Sequence, residues 1–127
     1  MDCRPESGHK ILVADDDSNM LFMVSEILAR QGYEVFQAVN GDQALKDARS
    51  LLPDLMVLDI MMPVIDGIEV CRRVKADPET RDIKVIMLTA KTSGRDLEAG
   101  LAAGADHYMT KPFKIAELSG KIKELLG

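Results

Sequence analysis

Three consecutive carboxylates at Asp15, Asp16 and Asp17, a lone Asp59 inside an apolar stretch, Thr89 and Lys111 are the side chains able to act together in polar chemistry. Carboxylates crowded into one cleft repel one another and raise each other's proton affinity, so they stay ionised only beside a cation. Mg²⁺ suits such a set: it prefers near-octahedral oxygen coordination, takes one or two carboxylates, keeps several waters and often sits beside phosphate. Lys111 would add a point charge and Thr89 a hydroxyl donor. Asp59 is the informative member. Leu55-Met56-Val57-Leu58 precede it and Ile60-Met61-Met62-Pro63 follow, surroundings in which a carboxylate needs a reason to be present. A carboxylate can attack phosphorus and hold the phosphoryl group as an aspartyl-phosphate. With a metal and a lysine neutralising the phosphoryl oxygens, the protein's task is then mostly positioning and charge stabilisation.

These residues meet only if the fold brings them together. Short runs rich in β-branched residues, Ile11 to Ala14, Val35 to Val39, Leu55 to Leu58 and Val85 to Leu88, alternate with longer segments of helical period, which implies βα units and a parallel sheet. His107 to Met109 is a weaker fifth strand, assigned by its position. The first helix begins near Asp17 or Ser18 and ends before Gly32, with Leu21, Val24 and Leu28 as its inward stripe. Later helices fall at about Asp42 to Leu52, Gly67 to Ala76, Arg95 to Ala103 and Lys114 to Leu126; the last repeats Ile115, Leu118, Ile122 and Leu125 on one face. The fourth is weak, because Gly100 lies inside it and Gly104 closes it, and an interior glycine costs about 1 kcal/mol against alanine.

Five strands each followed by a helix, joined by right-handed crossovers, make a doubly wound, three-layer α/β domain. Ligands of such sheets bind outside the carboxyl ends of the strands, where the strand order reverses. Asp15 to Asp17 follow the first strand, Asp59 the third, Thr89 ends the fourth and Lys111 follows the fifth, so a parallel sheet gathers all of them at one edge.

Composition limits the other possibilities. A chain of 127 residues, 46% apolar and 29% charged, suits one domain with one core. Residues 1 to 8 read as a poorly ordered tail and 9 to 127 as the domain. No apolar run approaches a membrane span and the N-terminus has no secretory pattern, so a cytoplasmic protein without membrane contact is expected. Cys3 and Cys71 supply neither a disulfide framework nor metal-ligand spacing. A net charge of −5, no tryptophan and 4% aromatics argue against direct nucleic-acid binding.

Four segments taken together carry a resemblance: Ile-Leu-Val-Ala-Asp-Asp-Asp at 11 to 17, Leu-Asp-Ile-Met-Met-Pro-Val-Ile-Asp-Gly at 58 to 67, Met-Leu-Thr-Ala at 87 to 90 and Tyr-Met-Thr-Lys-Pro-Phe at 108 to 113. In order and spacing, over nearly the whole chain, they resemble the receiver domains of two-component signalling response regulators, of the chemotaxis-receiver-like kind. The resemblance implies a flavodoxin-like (βα)5 fold with strand order 2-1-3-4-5. It implies that Asp59 accepts phosphoryl from the phosphohistidine of a sensor histidine kinase or a histidine phosphotransfer protein. Asp16, Asp59 and the Met61 backbone carbonyl would ligate Mg²⁺, with Asp15 assisting through a water. Lys111 would contact the phosphoryl group, and the Thr89 hydroxyl and Ala90 amide would close over it. Tyr108 would turn inward as Thr89 moves, changing the surface of the fourth helix, fifth strand and fifth helix that meets an output domain or downstream protein. A monomer or a phosphorylation-promoted homodimer, and a cis Lys111-Pro112 peptide, also follow from it.

Taken singly, each signal has a plainer explanation. Asp17 reads as a helix cap, and Asp66-Gly67 as turn and helix start. Thr89, Lys111 and Tyr108 gain a role only from the ensemble, and His9 and His107 receive none. Two competing functions are an aspartate-nucleophile phosphatase and a receiver-like binding module that is never phosphorylated. The phosphatase pattern needs a second aspartate two residues after the nucleophile, where Met61 stands; the module should have lost at least one of Asp15, Asp16, Asp59, Thr89 and Lys111. Self-catalysed phosphorylation without turnover of a separate substrate is therefore expected. The resemblance implies that Met61 and Lys91 flank the expected approach of water, and Met61 cannot orient one, so a long-lived phosphoryl state is expected. The last helix ends at the chain's end, which leaves a stand-alone receiver or a piece of a longer regulator equally open.

Overall fold

The computed structural model describes residues 9–89, 98–99, 101–111 and 113–126. Its elements in order are β1 (Lys10–Ala14), α1 (Ser18–Arg30), β2 (Glu34–Ala38), α2 (Gly41–Leu51), β3 (Leu55–Asp59), α3 (Gly67–Ala76), β4 (Lys84–Thr89), β5 (His107–Thr110) and a C-terminal helix, Ile115–Leu126. Glu98, Ala99, Leu101 and Ala102 are helical too, and Gly104, at φ +100°, closes that turn as its sequence position indicates. The rest of the Arg95 to Ala103 helix, the tail at 1 to 8, Ala90, Lys91 and Pro112 lie outside the described residues.

All five strands are parallel, in the order β2-β1-β3-β4-β5. Period-two alternation divides the strand residues between two cores. Leu12, Met56, Leu58, Val85 and Met87 face Ala44, Ala48, Val70 and Val74 of α2 and α3. Ile11, Val13, Leu55, Val57, Ile86 and Leu88 face Leu21, Val24 and Leu28 of α1 and Leu118 and Ile122 of the C-terminal helix. The central strands are thus covered on both faces, as parallel sheets require. Each fully buried Leu, Ile or Val contributes about 1.5–3 kcal/mol.

Side-chain caps set where the helices begin. Asp17 accepts from the Asn19 and Met20 amides, Asn40 from the Gln43 amide at 2.8 Å, and Asp66 from the Glu69 amide at 2.8 Å. Asn40 explains why α2 begins at Gly41, one residue before the start read from periodicity. At the other end of the sheet, Lys75 Nζ donates to the Ile83 carbonyl at 2.6 Å and to Asp106 at 3.0 Å, while Asp106 accepts the Val85 amide at 2.8 Å. This clasp holds the entry to β5, and so the register on which Lys111 depends.

Gly67 shapes the loop after Asp59. A Cβ there would lie 2.3 Å from the Asp59 carbonyl oxygen, and the Gly67 N–H donates to the Ile60 carbonyl at 2.9 Å. The obstructing atoms are backbone and cannot rotate away. Gly67→Ala is therefore expected to lower stability by about 2 kcal/mol, read as a lower urea midpoint. An unchanged midpoint would mean that the loop yields freely.

Candidate functional site

β1 and β3 are neighbours at the point where the strand order reverses. The register Ala14↔Leu58 carries Asp15 to the side of Asp59, and Thr89↔Thr110 sets Lys111 just beyond the end of β4. Asp15 is 1% exposed and Asp59 4%; Thr89 is also buried, and Asp16 is exposed at the rim. One carboxylate oxygen from each of Asp15, Asp16 and Asp59 lies within 4.8 Å of the others. Lys111 Nζ reaches Asp15 Oδ2 at 2.9 Å and Asp59 Oδ2 at 3.4 Å. The remaining oxygens of the buried pair accept backbone amides, Asp15 Oδ1 from Asp17 at 2.9 Å and Asp59 Oδ1 from Met61 at 3.3 Å.

The charges of the described residues do not balance at this site. Among the described residues, three carboxylates face one ammonium group, so the fully ionised cluster keeps a surplus of two negative charges there. Burial, followed by the neighbouring Asp15 charge, pushes the Asp59 carboxyl up to about 6; Lys111 and the Met61 amide pull the other way. Burial opposes the charge on Lys111, but its bond to Asp15 and the Asp59 and Asp15 charges outweigh it, so its pKa is raised. A hard oxygen donor set with two unmatched charges fits a divalent cation such as Mg²⁺, and the pocket is able to bind a metal ion.

The residues singled out in the sequence therefore converge: Asp15, Asp16, Asp59 and Lys111 meet, and Thr89 ends the adjacent strand. Tyr108 is half-buried against the core on the α2 and α3 side and pairs with Met87 across β4 and β5. The Met61 side chain points away from the core, 68% exposed. The Asp17 side chain caps α1, while its backbone amide donates to Asp15 Oδ1. Three features were not legible beforehand. Asp15 is the closer ion-pair partner of Lys111, Gly67 packs directly on the Asp59 backbone, and Val64 adopts positive φ. The Asp-Gly pair at 66 and 67 was a signal for the second; nothing local announces the others.

An open parallel sheet with a carboxylate cluster and a lysine at its switch point defines a doubly wound α/β domain with an acidic pocket, able to bind a metal ion, at the strand ends. The chain belongs to the response regulator receiver domain family, whose model matches residues 11–123. It is 44% identical over 117 residues to the alkaline phosphatase synthesis transcriptional regulatory protein PhoP of Bacillus subtilis, an alignment covering 92% of this chain and 48% of PhoP. The chain thus spans about half the length of the curated relatives it matches. Among solved structures, a CheY-like response regulator receiver domain protein from Methanospirillum hungatei superposes with TM-score 0.89 at 33% identity, covering 94% of each chain. The chemotaxis response regulator CheY4 of Vibrio cholerae gives TM-score 0.87 at 32% identity, over 94% of this chain and 99% of that one. The fold is the flavodoxin-like receiver fold with order 2-1-3-4-5. Among the described residues, no helix is long and apolar enough to cross a membrane.

Proposed function

We propose that this chain is a cytoplasmic phosphoryl-acceptor switch in which Asp59 takes a phosphoryl group from the phosphohistidine of a sensor histidine kinase or histidine phosphotransfer protein. The observation that carries the reading is a buried Asp59 carboxylate sharing Lys111 with a second buried carboxylate, Asp15. Near neutral pH Asp59 is mostly ionised even with its pKa at about 6, so an oxygen lone pair is available for attack on phosphorus. The new O–P bond forms as the N–P bond to the donor imidazole breaks, and the electron pair stays on that nitrogen.

Asp15, Asp16, Asp59 and the Met61 backbone carbonyl are the groups we assign to Mg²⁺. The ion, when bound, supplies positive charge to the phosphoryl oxygens. Lys111 neutralises a further part of the transferred charge and the Thr89 hydroxyl donates to it. The Ala90 amide is assigned the neighbouring donor position, outside the described residues. The phosphoryl group adds charge and acceptor oxygens that Thr89 can satisfy in only one arrangement, which biases a two-state equilibrium.

Tyr108 and the surface of β5 and the C-terminal helix are the assigned readout, facing an output domain or downstream protein, or a second phosphorylated copy. In support, His107, Tyr108, Thr110, Glu117, Lys121 and Glu124 line an open depression of about 490 Å³ there. The side chain of Met61 offers no donor or acceptor to orient a hydrolytic water, which favours a long-lived phosphoryl state. The direct test is intact-mass spectrometry after treatment with acetyl phosphate and Mg²⁺. One added phosphoryl group is expected on the native chain and none on Asp59→Asn. A native chain that gains nothing, or a variant that gains as much, removes Asp59 from the role.

A further inference from the structure

The side chains of β5 fix its register only weakly. The strand is four residues long, every one of them only partly buried, and it lies at the edge of the sheet beside β4. Tyr108 packs on the core toward α2 and α3, and Met109 on the opposite core. A slip of one residue would therefore exchange one half-buried apolar side chain for another, and apolar pattern discriminates little between the two registers. The same slip would carry Lys111 about 3.3 Å along the sheet and turn its side chain to the other face. Lys111 Nζ stands 2.9 Å from Asp15 Oδ2 and 3.4 Å from Asp59 Oδ2, and neither contact would survive that displacement.

The register is pinned by a polar clasp at the opposite end of the strand. The Asp106 N–H donates to the Val85 carbonyl and Asp106 Oδ2 accepts the Val85 N–H, both at 2.8 Å, so one residue of β4 is gripped twice. Lys75 donates to that same Oδ2 at 3.0 Å, to the Ile83 carbonyl at 2.6 Å and to the Arg81 carbonyl at 3.3 Å, which uses all three of its N–H groups. Its stem passes close to Gly104, where a Cβ would lie 2.9 Å from Lys75 Cγ and where φ is +100°. The end of α3, the start of β4 and the approach to β5 are thus tied at one point. Both charged side chains are largely buried. A buried ion pair adds little net stability over apolar packing, and its best-attested use is to specify one register against another.

We propose that Lys75 and Asp106 are positioning residues for the acceptor chemistry, holding β5 in the register that places Lys111 between Asp15 and Asp59. Neither touches the phosphoryl group; Asp106 acts from five residues before Lys111 in the chain, and Lys75 acts from another helix. The proposal rests on Asp59 being the acceptor. It differs from an ordinary stabilising ion pair in its consequence, because loosening the clasp removes Lys111 from the site while the carboxylates stay on β1 and β3.

Lys75→Met keeps the stem beside Gly104 and removes the ammonium group; Asp106→Ala removes the second grip on Val85. Each is labelled with acetyl phosphate at saturating Mg²⁺, at a temperature where thermal melts show it folded, and Lys75→Met alone carries the test should Asp106→Ala not fold. Labelling is expected to be at least about tenfold slower than native. Mg²⁺, titrated by calorimetry, should bind at least as tightly as to the native chain, since the carboxylates remain and a competing positive charge has withdrawn. In a Lys111→Met background, adding Lys75→Met should slow labelling by less than about twofold more. Slowing of less than about tenfold in either folded variant overturns the proposal, and so does Mg²⁺ affinity that falls along with the rate. A further loss above about twofold in the Lys111→Met background overturns it too. A native chain that takes no phosphoryl from acetyl phosphate removes the acceptor assignment, and the positioning role with it.

Discussion

Lys111→Met is expected to lower metal-free stability at pH 8 by about 3 kcal/mol. Among the described residues, Lys111 is the cation contacting both Asp15 Oδ2 and Asp59 Oδ2, and those carboxylates are almost wholly inside the protein. Methionine fills much the same volume, so the loss reports charge rather than packing. Two negative charges would remain facing each other across the end of β1 and β3, without the charge that now offsets their desolvation. The pH dependence identifies the cause. The pKa of Lys111 is raised in the fold, so its contribution is fully present below the ordinary lysine value and fades only as pH climbs through the raised one. The penalty of removing it should shrink near pH 4, where Asp59, its carboxyl pushed up to about 6, is already protonated. Urea denaturation of both proteins at pH 8 and pH 4 checks this; an equal loss at the two pH values would assign the effect to the lysine's aliphatic stem. Saturating Mg²⁺ should recover part of the stability at pH 8.

Asp59→Asn should act in the opposite direction, raising metal-free stability at pH 8 by about 2 kcal/mol. Folding shifts the Asp59 carboxyl from 3.8 to about 6, and each unit corresponds to about 1.4 kcal/mol between protonation states. The shift, in which the pull of Lys111 is already included, would give nearly 3 kcal/mol; the asparagine yields less because its amide puts a donor where one carboxylate oxygen accepted. A carboxyl whose pKa is higher folded than unfolded favours folding while protonated. The native chain should therefore lose stability as pH rises from about 4 to beyond 6, and the variant should lack that step. Thermal unfolding across this range measures the difference. Mg²⁺ should raise the native midpoint clearly and the variant's much less. A variant less stable than the native chain at pH 8 would show that Asp59 is held by its partners more strongly than burial opposes it. A destabilising Asp59 carboxylate fits a functional site, where stability is given up for a charge arrangement that a ligand completes.

Much of the architecture was legible because it depends on local patterns. β3 reads Leu-Met-Val-Leu-Asp, a continuous apolar run, and every one of its residues is buried. The C-terminal helix carries Leu118 and Ile122 on one stripe, and both are in the core. Asp17 and Asp66 cap the helices that their positions foretold. β5 could be assigned only from its place in the alternation, since His107–Thr110 is only partly buried and short. Its position as edge strand beside β4 is a matter of tertiary pairing.

For the site, residue type and order along the chain determined which side chains could take part: four acidic groups, a threonine and a lysine, each just past or at the end of a strand. Those are properties of single segments, set by hydrophobic period and side-chain chemistry. Which group lies against which was decided only by the folded sheet. The register of β1 on β3 and of β4 on β5 brings Lys111 closer to Asp15 than to Asp59, and Gly67 onto the Asp59 carbonyl. The left-handed backbone of Val64 is likewise closed by the Pro63 carbonyl and braced by Gly41 from another helix. Distances, burial and proton affinity are sums over neighbours remote in the chain, and such sums exist only once the layers have packed.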